Sequence, residues 1–112
     1  ALNIIGIKGA KFYVGDSQDK SNQIDAKTIA NLIKHKSSNI IALGRHSDND
    51  LIVQGNGISR FQAKIEINGK GIFITDLGST NGTFIDDQKL PPNIPTKIEK
   101  NNSKITFGFK FA

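Results

Sequence analysis

The sequence predicts an all-β fold, a sandwich or a barrel, in one domain that spans residues 1–112. Strand-forming residues, isoleucine above all, dominate a chain that is 37% hydrophobic. Glycine is frequent, with 11 residues, as tight turns require. Short strand-like runs recur along the chain with turn residues between them, and they do not alternate with long helical patterns. This spacing is typical of a sandwich and differs from the rhythm of βαβ units.

The first part of the chain is predicted to form two short strands and a loop. Residues 2–7 and 10–14 are rich in strand formers, and Gly9 separates them. Residues 15–23 are polar and rich in turn formers, which indicates a loop.

Residues 25–36 show a different pattern, which predicts a short helix. Asp25 is suited to cap its amino terminus, and basic residues occupy the last predicted turn. The apolar residues at helical spacing are Ala26, Ile29, Ala30 and Ile33. An irregular strand through residues 29–33 is the alternative.

Strand signals dominate from residue 39 onward. The predicted strands are residues 39–43, 51–53, 61–67, 71–77, 83–85, 89–90 and 104–111. In the 61–67 strand, apolar residues from Phe61 alternate with polar residues from Gln62, which places Phe61 on the apolar face and Gln62 on the opposite face. Prolines 91, 92 and 95 are predicted to stop regular pairing.

The composition limits the possible functions and surroundings of the chain. It contains no cysteine, which excludes disulfides and thiolate metal sites. Its apolar runs are too short to span a bilayer, so we expect no membrane segment within this chain and a cytoplasmic location. The net charge of +5 favours an acidic or phosphorylated partner. We expect a monomeric domain, and the composition leaves open whether it is part of a larger protein.

Three predicted turns carry polar side chains suited to a phosphate group. Arg45 follows a strand directly, Ser59 and Arg60 precede the next clear strand, and residues 79–81 lie between two glycines. Guanidinium groups and short hydroxyl or amide donors match the charge and geometry of a dianionic oxyanion. Taken singly, Arg45 is more readily an ordinary surface residue and residues 79–82 a tight turn without a ligand, whereas for Ser59 the two interpretations are about even. The prediction therefore depends on the three turns meeting at one end of the sheet.

Catalytic and metal-binding functions have no comparable signal. The sequence lacks the Walker loop of nucleoside triphosphatases, the G-x-S-x-G motif of serine hydrolases and the H-E-x-x-H motif of zinc proteases. No catalytic residue and no cofactor are therefore predicted. Its histidines, His35 and His46, have no suitably spaced partner for a metal. Nucleic-acid binding ranks below phosphopeptide binding, because Tyr13 is the only tyrosine and the phenylalanines lie on core-like faces.

These motifs together resemble the forkhead-associated (FHA) domain family. The matching residues, all between residue 39 and the end of the chain, are Gly44-Arg45, Asn49-Asp50, Ile58-Ser59-Arg60, Ala63-Lys64-Ile65, Asp76-Leu77, residues 79–84, Ile105 and Phe107-Gly108. The resemblance implies a β-sandwich of two twisted antiparallel sheets with binding loops at one end. It also implies non-catalytic recognition of phosphothreonine in an extended peptide of a partner protein.

The resemblance also implies a role for individual residues. The implied phosphate contacts are Arg45, Ser59, Arg60 and Thr80, and Asn81 is the implied contact to the peptide main chain. Loop side chains set selectivity in the family, and the candidates here are His46, Ser47, Asn56, Gly57 and Ser79. Gly44, Gly82, Asn49 and Asp50 are implied to support the loops.

Gln62 departs from the family pattern, which has a histidine three residues after the serine that corresponds to Ser59. That histidine is implied to brace the binding loops. Glutamine also donates and accepts hydrogen bonds, so we expect the site to survive with altered rigidity. A scaffold that keeps the FHA fold but binds partners independently of phosphate remains the alternative function.

Overall fold

The computed structural model describes residues 9–36, 38–55 and 57–108. The strand predicted over residues 2–7 lies outside these ranges, as does the end of the last predicted strand, which includes Phe109 and Phe111.

Two sheets of five strands each form a sandwich in the part of the chain that is described. The strands are β1 (Lys11–Val14), β2 (Gln23–Ile24), β3 (Ile40–Gly44), β4 (Leu51–Ile52), β5 (Ala63–Asn68), β6 (Gly71–Asp76), β7 (Thr83–Ile85), β8 (Gln88–Lys89), β9 (Thr96–Lys97) and β10 (Lys104–Phe107). Their order is β2-β1-β10-β7-β8 in the first sheet and β4-β3-β5-β6-β9 in the second. The predicted β-sandwich is confirmed. The two sheets are mixed and not purely antiparallel as the resemblance implies, because β1 pairs with β10 and β3 with β4 in parallel.

The predicted helix is also confirmed as α1, Ala26–Lys36. The Asp25 carboxylate accepts a hydrogen bond from the Lys27 amide at 2.9 Å, which caps the first turn as expected. Ile29 is fully buried in the core between the sheets. The alternative prediction of a strand through residues 29–33 is wrong, because these residues lie in α1 and their apolar side chains recur at helical spacing.

Apolar side chains of both sheets interdigitate to form the core. The second sheet contributes Ile41 and Leu43 of β3 together with the isoleucines of β5 and β6. The first sheet contributes Phe12 and Phe107, whose stacked rings have centroids 6.4 Å apart. Burying such side chains is the main favourable term in folding, and it holds the strand ends that carry the loops in fixed positions.

The structure reverses the predicted orientation of two residues before β5. Phe61 is 46% exposed, whereas Gln62 is fully buried. The paired strand begins only at Ala63, so the alternation that places Ala63, Ile65 and Ile67 inside does not extend to residues 61 and 62. Gln62 instead turns into the space beneath the loops.

Asp50 joins three elements, which matches its expected supporting role. Its Oδ2 accepts hydrogen bonds from the Ala42 amide at 2.8 Å and from the Lys36 ammonium at 2.7 Å. Partial burial raises the pKa of Asp50, but these two donors outweigh it and lower the pKa below the usual aspartate value. The carboxylate therefore stabilises the folded state only while it is ionised.

Replacing Asp50 with asparagine is expected to lower the free energy of unfolding by about 1 kcal/mol at neutral pH. A lowered folded pKa means that this contribution is complete above the unfolded pKa of about 3.9 and is lost as the pH falls through the folded value. Urea denaturation from pH 7 to pH 2.5 measures the difference, with the exposed Glu99→Gln as control. A stability difference that stays constant over this range would contradict the prediction.

Candidate functional site

Three loops meet at one end of the sandwich and enclose an open cleft of about 460 Å³. They follow β3, precede β5 and connect β6 to β7. The residues that line the cleft are Arg45, Gly57, Ile58, Ser59, Arg60, Gly78, Thr80 and Asn81. The structure thus brings together all five residues that the sequence assigns to phosphate and peptide contacts.

Arg45 is held in position by its own loop and by the facing one. Its backbone amide donates to the Ser59 carbonyl at 3.1 Å, and its side-chain Nε donates to the Ile58 carbonyl at 2.8 Å. The second bond fixes the guanidinium plane and leaves the terminal NH₂ groups for a ligand. Arg45 is therefore pre-oriented as a fork of charged donors.

Ser59 and Thr80 are joined across the cleft. The Thr80 amide donates to Ser59 Oγ at 2.9 Å. Because Ser59 Oγ is the acceptor in this bond, its own hydroxyl hydrogen remains available for an anion. Thr80 is exposed, so its hydroxyl faces solvent at the same place.

Arg60 adds a second positive charge at the rim. Its carbonyl accepts hydrogen bonds from the His46 amide at 3.1 Å and from Asn49 Nδ2 at 2.7 Å, while its side chain is exposed. Within the described residues, neither Arg45 nor Arg60 forms an ion pair with a carboxylate. The cleft therefore carries positive charge that is not neutralised internally.

Asn81 and Gly57 form the other end of the cleft. The Asn81 side chain donates through Nδ2 to the Gly57 carbonyl at 3.1 Å. Gly57 has a φ of 90°, and a β-carbon there would lie 2.6 Å from the Gly108 carbonyl oxygen. Only glycine fits this contact without displacing the loop.

Gln62 braces two of the three loops from beneath, which is the role expected for this position. Its Oε1 accepts from the Ser59 amide at 3.0 Å. Its Nε2 donates to the Gly82 carbonyl at 2.9 Å and to Thr83 Oγ1 at 3.1 Å. Glutamine thus bonds to both loops at once through the two ends of one amide.

Asp76 organises the loop between β6 and β7. Its carboxylate, on a residue that is only 3% exposed, accepts from the Gly78 and Ser79 amides at 3.1 Å and from Thr83 Oγ1 at 2.8 Å. Ser79 Oγ also donates to Asp76, and it accepts from the Gly82 amide at 3.0 Å. The Ser79 hydroxyl is thus bonded within its loop, away from the cleft.

Asp76 has no predicted role at the site, although Asp76-Leu77 is among the residues that carry the resemblance. The available signal was an acidic residue at the end of a strand, directly before a loop with serine and threonine hydroxyls and free backbone amides. A buried carboxylate with several donors is a frequent way to fix such a loop.

The remaining selectivity candidates differ in their location. Gly57 lines the cleft, and Asn56 lies outside the described residues. Ser47 is exposed and does not line the cleft. His46 lies beyond Arg60, where its ring stacks on Phe61 with centroids 5.0 Å apart.

The supporting residues behave as the resemblance implies. Asn49 donates through Nδ2 to the His46 carbonyl at 2.9 Å as well as to Arg60, so it joins the two loops that carry the arginines. A β-carbon on Gly44 would collide with the Arg60 carbonyl, which requires glycine at this crossing.

Two features are absent from the described ranges. No group of three or more His, Cys, Asp or Glu residues is arranged there to hold a metal ion. Their single α-helix is neither long nor apolar enough to cross a bilayer.

Comparison with known proteins places the chain in a family. The family model described as FHA domain matches residues 41–108. The FHA domain-containing protein FhaB of Mycobacterium tuberculosis is 32% identical over 66 residues, which cover 54% of this chain and 43% of FhaB. The FHA domain-containing protein PS1 of Arabidopsis thaliana is also 32% identical over 66 residues, covering 57% of this chain and 4% of PS1. The chain thus spans less than half the length of either relative.

A solved structure agrees with the sequence comparisons. The solution structure of the FHA domain of an Arabidopsis thaliana hypothetical protein superposes with a TM-score of 0.56 at 29% identity, over 63% of this chain and 60% of that one. The family match covers more than half of the sequence, and the strands and loops lie where it requires them. The chain belongs to the FHA domain family, whose members are interaction modules.

Proposed function

We propose that this chain is a non-catalytic module that binds phosphothreonine peptides and so mediates phosphorylation-dependent protein–protein interaction. The observation that supports this most directly is the joint placement of Arg45, Ser59, Arg60 and Thr80 around one open cleft. Their positive charge lacks an internal counterion among the described residues, and all four residues line the same cleft.

Binding would depend on electrostatics that exist before the ligand arrives. A phosphate monoester carries about 1.5 to 2 negative charges near neutral pH. Arg45 would clamp its oxygens with charged N–H donors, Arg60 would add long-range attraction, and the Ser59 and Thr80 hydroxyls would fix its orientation. Because Gln62 and Asp76 already hold the loops, little ordering of the protein is needed on binding.

Asn81 and Ile58 would act on the rest of the ligand. Asn81 is fixed to Gly57 at one end of the cleft, and its amide would hydrogen-bond the main chain of an extended peptide. Preference for phosphothreonine over phosphoserine requires an apolar contact for the additional methyl group. Ile58 is the large apolar residue among those that line the cleft, but it is only 4% exposed and packs in the core, so the contact that it would offer to the methyl group is small.

The test is a titration with matched phosphothreonine, phosphoserine and unmodified peptide libraries, followed by amide NMR shifts. We expect the phosphothreonine peptides to shift the amides of Arg45, Ser59, Thr80 and Asn81, and the unmodified peptides to leave them unchanged. Affinity should also fall as the pH drops below about 6, where the phosphate loses its second charge.

Two other outcomes would contradict the proposal. Partner binding that survives phosphatase treatment would support the phosphate-independent scaffold. Binding to any DNA or RNA with a steep dependence on salt would support a nucleic-acid function.

A further inference from the structure

An exposed aromatic pair adjoins the phosphate-binding end of the cleft. Phe61 is 46% exposed, and the side chain of His46, with which it stacks, is 40% exposed. Their ring planes differ by 26° at a centroid separation of 5.0 Å. We call this pair the Phe61–His46 platform.

Hydrogen bonds fix the platform to the loops of the site. His46 Nδ1 accepts from the Asp48 amide at 3.0 Å, which sets the ring orientation. The His46 amide donates to the Arg60 carbonyl at 3.1 Å, and Asn49 bonds to the carbonyls of both His46 and Arg60. The platform is therefore held in a defined position relative to Arg60.

The order of residues along one loop locates the platform relative to the peptide. Gly57 bonds to Asn81, Ser59 bonds to Thr80, and Arg60 and Phe61 follow. A peptide whose main chain lies at Asn81 and whose phosphate lies at Ser59 would thus reach Phe61 on the opposite side of the phosphate. The platform extends the same binding surface.

The charges around the platform indicate which kind of side chain it would accept. Asp48, whose side chain is 77% exposed, has a carboxylate oxygen 3.7 Å from His46 Nδ1 and would repel an acidic residue. Arg60, on the other flank, would repel a basic one. A neutral apolar side chain meets neither penalty, and it removes exposed ring surface from water.

We propose that the Phe61–His46 platform binds a large apolar side chain, aromatic or branched aliphatic, of the phosphopeptide. This residue lies on the side of the phosphothreonine away from the segment held by Asn81. The inference rests on the proposed function and adds to it a determinant of sequence preference.

The experiment measures Kd for phosphothreonine peptides in an alanine background, with a single phenylalanine placed in turn at each position on both sides of the phosphothreonine. We expect one position on one side to gain about tenfold in affinity over alanine. Glutamate and lysine at that position should show no such gain.

Variants of the platform then test its role. The quantity compared is the ratio of the Kd for the alanine peptide to the Kd for the phenylalanine peptide. Phe61→Ala should bring this ratio close to one, and His46→Ala should lower it. Phe61→Tyr should leave the ratio unchanged. Ile94→Ala is the matched control, because Ile94 is 53% exposed and lines neither the cleft nor the platform. It should leave the ratio at the parent value.

The failures of the two proposals are distinguishable. If phosphothreonine peptides bind but no position gains from phenylalanine, or Phe61→Ala keeps the gain, the platform is wrong and the proposed function stands. If no peptide binds in a phosphate-dependent way, both are overturned.

Discussion

Replacing Arg45 with alanine is expected to weaken binding of a phosphothreonine peptide at least about 100-fold while the fold stays intact. Charge-assisted hydrogen bonds contribute about 1.5 to 3 kcal/mol each, so the loss of two of them corresponds to this factor or more. The side chain is exposed, and its Nε bond to the Ile58 carbonyl is only partly buried. Isothermal titration calorimetry gives the affinity, and circular dichroism monitors the fold.

Two control variants separate geometry from charge. Arg45→Lys keeps the charge but loses both the fork and the Nε bond to Ile58, so we expect an intermediate loss of about tenfold. Lys70→Ala removes one positive charge from the exposed turn between β5 and β6, and it should change affinity by less than about twofold. Near-parent affinity in Arg45→Ala would show that another residue anchors the phosphate.

Replacing Gln62 with alanine is expected to lower the free energy of unfolding by about 3 kcal/mol and to weaken peptide binding as well. The substitution leaves the Ser59 amide, the Gly82 carbonyl and the Thr83 hydroxyl without this partner in a site closed to water. It also removes the link that holds two binding loops together. Chemical denaturation measures the first effect and calorimetric titration the second.

Histidine, the family's usual residue at this position, gives a graded comparison. An imidazole in one tautomer has one donor and one acceptor, fewer than the glutamine amide, so Gln62→His should cost about 1 kcal/mol. Gln88→Ala, an exposed change in β8, should lie within about 0.5 kcal/mol of the parent. Parent-like stability of Gln62→Ala would show that the buried bonds do not support the loops.

The architecture was predictable where a segment was long enough to show a period. Strand β5 carries clear alternation, and the helix α1 carries helical spacing. Strands β2 and β9 have only two residues each, too few for any pattern, and they form because neighbouring strands offer open edges. Thr106 alternates with the apolar Ile105 and Phe107 in β10 and is nevertheless fully buried, which periodicity alone does not reveal.

The site was predictable as a set of residues but not as a network. Arg45, Ser59 and Thr80 lie at strand ends and in turns, and one family pattern includes all three. The pattern does not reveal which hydroxyls serve the loops. Ser79 bonds to Asp76 and to the Gly82 amide, while Ser59 keeps its hydrogen free, and this difference depends on tertiary placement.

The amide of Gln62 reaches residues 20 and 21 positions further along the sequence. No short fragment of the chain contains both Gln62 and its partners Gly82 and Thr83. The cleft is therefore complete only when the whole sandwich has folded. Under the proposed function, copies that are still being synthesised or that have been unfolded by heat would therefore not bind a phosphorylated partner. Binding of such a partner would shift the folding equilibrium toward the folded state. The melting temperature would therefore rise with the ligand concentration.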